Sequence, residues 1–291
     1  MQALSAVTPS VRNLYFGAVM FAALLIFSAA SAQAREPVTP GELAALAGVD
    51  KTLDEVVSAL SEQGDAIAQE SGALGDRESF TASWHKAAAL SFAPSKLKAA
   101  FAIRMNGKLT PEETGTVAAF YQSPLGQRIV GSETTAATPA GQQQMMSEAE
   151  DIMELLLKSP LRQAALDRII RSARLDEMSI NMAVNVSRAM LIGLTTTGTG
   201  ATRMTLEDIV IALDEQRPQI AAETAVMTKL SLAFAYRDLP MEDLVAYAEF
   251  LETQAGSKHA DAVMKGLDAV LSEAALSFGN ALSGDLERTP I

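Results

Sequence analysis

The chain of 291 residues is 48% hydrophobic and 20% charged, which places it among globular rather than disordered sequences. Aromatic residues make up 5%, and 35 Asp and Glu against 23 Lys and Arg leave a net charge of -12, so no basic domain exists to hold a nucleic-acid backbone. The absence of cysteine and the presence of only two histidines exclude thiol catalysis, disulfide frameworks and Cys/His zinc sites.

Residues 1–34 read as a signal peptide. Arg12 is their one charged side chain and precedes an apolar run from Leu14 to Phe27. Small residues follow, ending in Ala32-Gln33-Ala34, the A-x-A pattern that a signal peptidase cleaves. The expectation is export to the periplasm of a Gram-negative bacterium, with no stable membrane insertion after cleavage. The alternative is an anchor formed by an uncleaved N-terminal helix. A lipoprotein is excluded because no cysteine is available to acylate.

The remaining sequence predicts helices joined by short breaks, an all-α fold. Thr39-Pro40-Gly41-Glu42 has the layout of a capping box with proline in the first helical position. Thr110-Pro111-Glu112-Glu113 repeats it, and Thr205-Leu206-Glu207-Asp208 is a looser version. Breaks are expected at Gly72 to Gly75, Ala93-Pro94, Ser123-Pro124, Thr138 to Gly141, Ser159-Pro160 and Leu194 to Thr205. From Leu175, residues Met178, Met182, Val186, Met190 and Leu194 form one apolar stripe. Val210, Leu213, Ile220, Val226, Leu230 and Ala233 form a rougher one, bent or broken at Pro218. The tail from Ser283 is expected to fray.

One segment echoes another. Laid without a gap on Leu239 to Ala260, Leu109 to Val130 matches at Leu109/Leu239, Glu112/Glu242, Ala118/Ala248, Phe120/Phe250 and Gly126/Gly256. Charge is kept at Glu113/Asp243 and Arg128/Lys258. Upstream, Leu53-Asp54-Glu55 and Leu175-Asp176-Glu177 are each expected to begin a helix. The division that follows is a signal peptide over 1–34, two tandem helical modules over 35–158 and 159–282, related by internal duplication, and a tail over 283–291.

The stretch LTPEETGTVAAFYQSPLGQRIV resembles an exported bacterial helical family known as domain of unknown function 2059. It carries that resemblance through its acidic helix start, Phe120-Tyr121, Ser123-Pro124 and Gly126. The segment from Leu239 to Val263 looks like a degenerate second copy. It keeps Phe250 and Gly256, with Thr253-Gln254 in place of Ser-Pro and Leu251 in place of the second aromatic. The resemblance implies an all-helical exported protein and brings no activity and no catalytic residues.

Taken physically, the motif is a structural corner. Phe120 and Tyr121 end a helix and bury apolar area, Pro124 turns the chain, and Gly126 allows close helix approach. Phe250 and Gly256 repeat the device. A binding groove lined by Tyr121 and Glu112 is the functional alternative. Elsewhere, Ser95-Lys96-Leu97-Lys98 matches S-x-x-K without the companion motifs of its class. Gly198-Thr199-Gly200 lacks a phosphate-binding lysine. His85 and His259 fall in different modules and are read as solvated or core-edge side chains. Acidic pairs such as Glu112/Glu113 and Glu242/Asp243 suit the positive ends of helices. Methionines at 145, 146, 153, 178, 182 and 190 fill an aromatic-poor core or, alternatively, line a groove for an apolar ligand. No catalytic, cofactor-binding or metal site is assigned. The function expected is interaction with a protein or the envelope, without catalysis. The alternatives are carriage of a small apolar ligand between modules and, behind it, a hydrolase of unrecognised type. The partner is thus an unknown protein or small apolar ligand.

Overall fold

The computed structural model describes residues 38–70, 77–196 and 205–286. Residues 1–34, read from the sequence as an export signal, lie outside them, as do the break at Gly72 to Gly75, most of the Leu194 to Thr205 loop and the last five residues. Among the described residues all regular structure is α-helix and none is strand.

The first half contains α1 (Pro40–Leu46), α2 (Val49–Glu70), α3 (Arg77–Ser91), α4 (Pro94–Met105), α5 (Pro111–Tyr121), α6 (Pro124–Ala137), α7 (Pro139–Ser147) and α8 (Ala149–Leu157). The second contains α9 (Pro160–Ala173), α10 (Leu175–Thr196), α11 (Leu206–Ala235), α12 (Met241–Leu251) and α13 (Gln254–Leu286). Proline opens six of these helices, where its missing N–H leaves no hydrogen bond unmade. Thr39, Thr110 and Thr205 each cap a helix through a full capping box, closed by Glu42, Glu113 and Asp208. Thr205 therefore makes the complete device and not a looser one.

One helix start differs from expectation. Leu175 does open α10, but Leu53 lies a turn inside α2, which begins at Val49. The cause is Gly48, whose φ of 75° breaks the chain direction just before it. Arg174, with φ 54°, does the same before α10. Helix α11 runs unbroken through Pro218. Pro218 is exposed, as is Asp214 one turn before it, so water can take the carbonyl that the proline frees. On this helix Leu213, Ile220, Leu230 and Ala233 are buried, whereas Val210 and Val226 face solvent. Helix α13 continues past Ser283, and Lys86 on α3 pairs with Asp285 near its end.

The long helices α10 and α13 lie along one another, with α11 against α10 and with α3 and α4 against α13. In the first half α2 packs on α3, α4 and α6. Trp84 on α3 fixes this layer: its Nε1–H donates to the Leu60 carbonyl at 2.7 Å and its ring meets the edge of Phe278 on α13. A Cβ at Gly64 would fall 2.2 Å from that indole, so the glycine makes room for it. The buried core is continuous from Leu43 to Leu282 and draws on both halves. A smaller group of Ala183, Val184, Ile209, Leu213 and Ile220 lies between α10 and α11. Met145, Met182 and Met190 are inside the main core, with Met153 and Met178 against it.

Candidate functional site at the paired corners

The turn from α5 into α6 and the turn from α12 into α13 are built alike. Helices α5 and α12 have the same length, 11 residues. Each ends on a buried pair, Phe120-Tyr121 and Phe250-Leu251. In the first turn of the following helix the Ser123 Oγ accepts from the Gly126 N–H at 3.0 Å. The Thr253 Oγ1 accepts from the Gly256 N–H at 3.1 Å, so the hydroxyl is kept although Ser-Pro has become Thr-Gln. A Cβ at Gly126 would lie 2.2 Å from the Phe120 carbonyl oxygen, and one at Gly256 2.1 Å from that of Phe250. Pro124 takes the first helical position of α6. The entries differ: Thr110 caps α5, whereas Pro240 offers α12 no side-chain cap.

The two corners face each other. The rings of Phe120 and Phe250 stack with centroids 5.5 Å apart and planes 19° from parallel. Two ion pairs also cross between the corners. Arg128 on α6 binds both Asp243 oxygens on α12, at 2.8 and 2.9 Å. Lys258 on α13 binds Glu113 on α5 at 2.6 Å. In each pair a half-exposed cation meets a carboxylate only 10 to 12% exposed. Hydrogen bonding from Lys258, and then from the Thr110 N–H, holds the Glu113 carboxyl below its ordinary range. The acidic helix starts that looked like simple partners of the helix dipole are thus also clamps between helices.

A buried polar cluster sits beside the stack. Glu133 on α6 is 2% exposed. Its Oε1 accepts from the hydroxyl of Tyr236, the residue closing α11, at 2.5 Å, and from that of Tyr247 on α12 at 3.3 Å. The two phenol oxygens are 3.2 Å apart. Glu133 Oε2 has no hydrogen-bond partner. Burial pushes the Glu133 carboxyl up to about 8, against the opposing pull of the two tyrosine hydroxyls. Tyr121, Tyr236 and Tyr247 are all raised well above the ordinary phenol value, first by burial. Next to them the Tyr121 ring meets the edge of His259 at 5.8 Å. His259 is buried, and burial pushes its imidazole down to about 3. Arg162 on α9 braces the neighbouring turn by donating to the carbonyls of Tyr236, Arg237 and Leu239.

Of the sequence-selected residues, Phe120, Tyr121 and Phe250 meet across the contact, Gly126 and Gly256 sit tightly in its two turns, and Pro124 opens α6 exposed. Glu133, Tyr236 and Tyr247 were not singled out by sequence. The signal available was that only four tyrosines exist in the whole chain, three of them among the described residues. The other candidates stay apart. His85 on α3 lies 3.1 Å from Asp65 on α2. Lys98, the lysine of S-x-x-K, is held by Asp54 on α2 at 2.8 Å, and Lys96 donates to the Leu90 carbonyl, so neither lysine is directed at Ser95. Among the described residues no group of three metal-ligating side chains is present and no helix is long and apolar enough to cross a membrane.

Residues 96–154 match DUF2059. That family is described as an uncharacterized protein conserved in bacteria. The matched segment runs from the first turn of α4 into α8 and contains the α5–α6 corner; the α12–α13 corner lies outside it. No curated protein and no solved structure matches the chain.

Proposed function

We propose that this protein is exported and acts by binding another macromolecule, without catalysis. One surface feature carries the reading. At the turn from α8 to α9, Leu155, Leu157 and Leu161 are 65, 68 and 78% exposed. Single exposed apolar side chains such as Leu90 and Ile103 need no explanation, but here three fall within seven residues, each more than 60% exposed. Glu150, Asp151 and Glu154 are exposed on the same short helix, which favours a neutral or basic partner over an anionic membrane. The methionines that carriage of an apolar ligand would require at a groove are largely taken up by the core. A cleft between α2 and α6, about 270 Å³, is lined by Lys51, Asp54, Glu55, four threonines and Ala137, with no methionine among them.

The test is made in the native host. Cell fractionation should find the protein in the periplasm at the mass of residues 35–291, and deletion of residues 2–34 should leave it in the cytoplasm. Replacing Leu155, Leu157 and Leu161 by serine should remove both the cross-linked partner and the phenotype, while circular dichroism and export stay unchanged. Ser95→Ala with His85→Ala should leave both intact. Loss of function in this second variant, folded and exported, would return the protein to the enzymes.

A further inference from the structure

We propose that the α5–α6 corner is a pairing surface whose partner is a second corner of the same kind, here fused into the same chain as α12–α13. We further propose that the polar cluster on one side confines each corner to that intrachain partner.

The contacts between the corners are reciprocal. Moving 130 residues along the chain turns Glu113 into Asp243, Phe120 into Phe250 and Arg128 into Lys258. Arg128 binds Asp243, and Lys258 binds Glu113. Each residue thus contacts the counterpart of the residue that contacts its own counterpart, and the phenylalanines meet their own equivalents at the centre. This is the rule of a two-fold, self-complementary interface. The surrounding order supports it. A left-handed residue, Gly48 or Arg174, precedes a 22-residue helix, α2 or α10, in each half. Helix α1 packs on α5 as α9 packs on α12, and α6 on α11 as α13 on α3 and α4.

The cluster breaks that symmetry. At the same offset Glu133 becomes Val263, Tyr247 becomes Val117, Tyr121 becomes Leu251 and His259 becomes Ile129. All four apolar counterparts are buried. One side of the paired corners is therefore polar and the other dry. If the first corner paired with the first corner of another chain, Glu133 would face the position of Val117 and lose the Tyr247 donor, twice over. Two second corners would bury the Tyr247 hydroxyls against the position of Val263. Only the pairing of first with second corner satisfies the acid and the phenols together, and a buried polar group left unmatched is the known way to select partners.

The chain contains no cysteine, so a single Phe120→Cys variant reports first-corner pairing between chains without background. The full chain is refolded from denaturant at high concentration, where pairing between chains competes with pairing within them. A short thiol-to-thiol cross-linker then traps the result. With the cluster intact, interchain product should be scarce. With Glu133→Val, Tyr236→Phe and Tyr247→Val added, it should rise about tenfold or more, the factor set by removing one unsatisfied buried polar group. Equal yields in both backgrounds, high or low, would overturn the proposal. If the triple variant does not refold, Glu133→Gln with Tyr247→Phe keeps the volume, weakens the polar match and is read by the same comparison.

Discussion

The carbonyl oxygens of Phe120 and Phe250 occupy the space that a Cβ would need at positions 126 and 256, so both glycines are required by close approach. Neither has a positive φ. The obstacle is backbone, which cannot swing aside as a long side chain can. Gly126→Ala and Gly256→Ala should each destabilise by about 1–3 kcal/mol, the usual range for overpacking. Urea denaturation monitored by circular dichroism measures this directly, and a loss below half a kcal/mol would show that the corner yields. Phe250 presents the opposite case, a large side chain whose removal leaves a hole beside the stacked ring of Phe120. Phe250→Ala should cost about 3–5 kcal/mol by the same measurement.

At the scale of elements, most helix boundaries were legible because they are local chemistry. Pro94, Pro111, Pro124, Pro139 and Pro160 each open a helix, and the threonine caps stand where the spacing placed them. The start of α2 was harder, since the φ of Gly48 alone sets it and Leu53 with its acidic neighbours offers the more obvious signal. At Pro218 the helix is not broken, since the carbonyl that the proline frees, that of exposed Asp214, can reach water. The helix nonetheless lacks one hydrogen bond there and tolerates a poor helix former. Pro218→Ala should therefore stabilise the protein by about 1–3 kcal/mol, up to the full propensity difference. A rise in thermal midpoint with no change in helical content is the expected result, and an unchanged or lower midpoint would mean that the proline relieves some strain in α11.

At the scale of the whole molecule, the central contact could only be half read. Its apolar centre follows from aromatic residues repeated at an offset of 130, whereas the cluster joins Glu133, Tyr236 and Tyr247 from three helices with no shared local pattern. Glu133 lies in a polar stretch, Gly131-Ser132-Glu133-Thr134, that resembles any exposed helix face until α11 and α12 cover it. That burial makes the stability of the fold depend on pH in two opposed ways. The Glu133 carboxyl rises from 4.5 to about 8 on folding, so its contribution is complete below pH 4.5 and declines as pH climbs towards 8. The His259 imidazole falls from 6.5 to about 3, so its contribution is complete above pH 6.5 and declines as pH drops towards 3. Each slope is at most about 1.4 kcal/mol per pH unit, and between pH 4.5 and 6.5 the two cancel. Above pH 6.5 only the Glu133 loss continues. Surface carboxylates also titrate below pH 4.5, so the decisive quantity is the difference between wild type and Glu133→Gln. That difference should be flat below pH 4.5, move steadily in favour of the variant from there to about pH 8, and level off beyond. Urea denaturation at unit intervals from pH 4 to 9 would trace it. A difference curve without slope in that window would mean that Glu133 is ionised in the folded protein, and that the tyrosine hydroxyls hold a charge rather than a neutral acid.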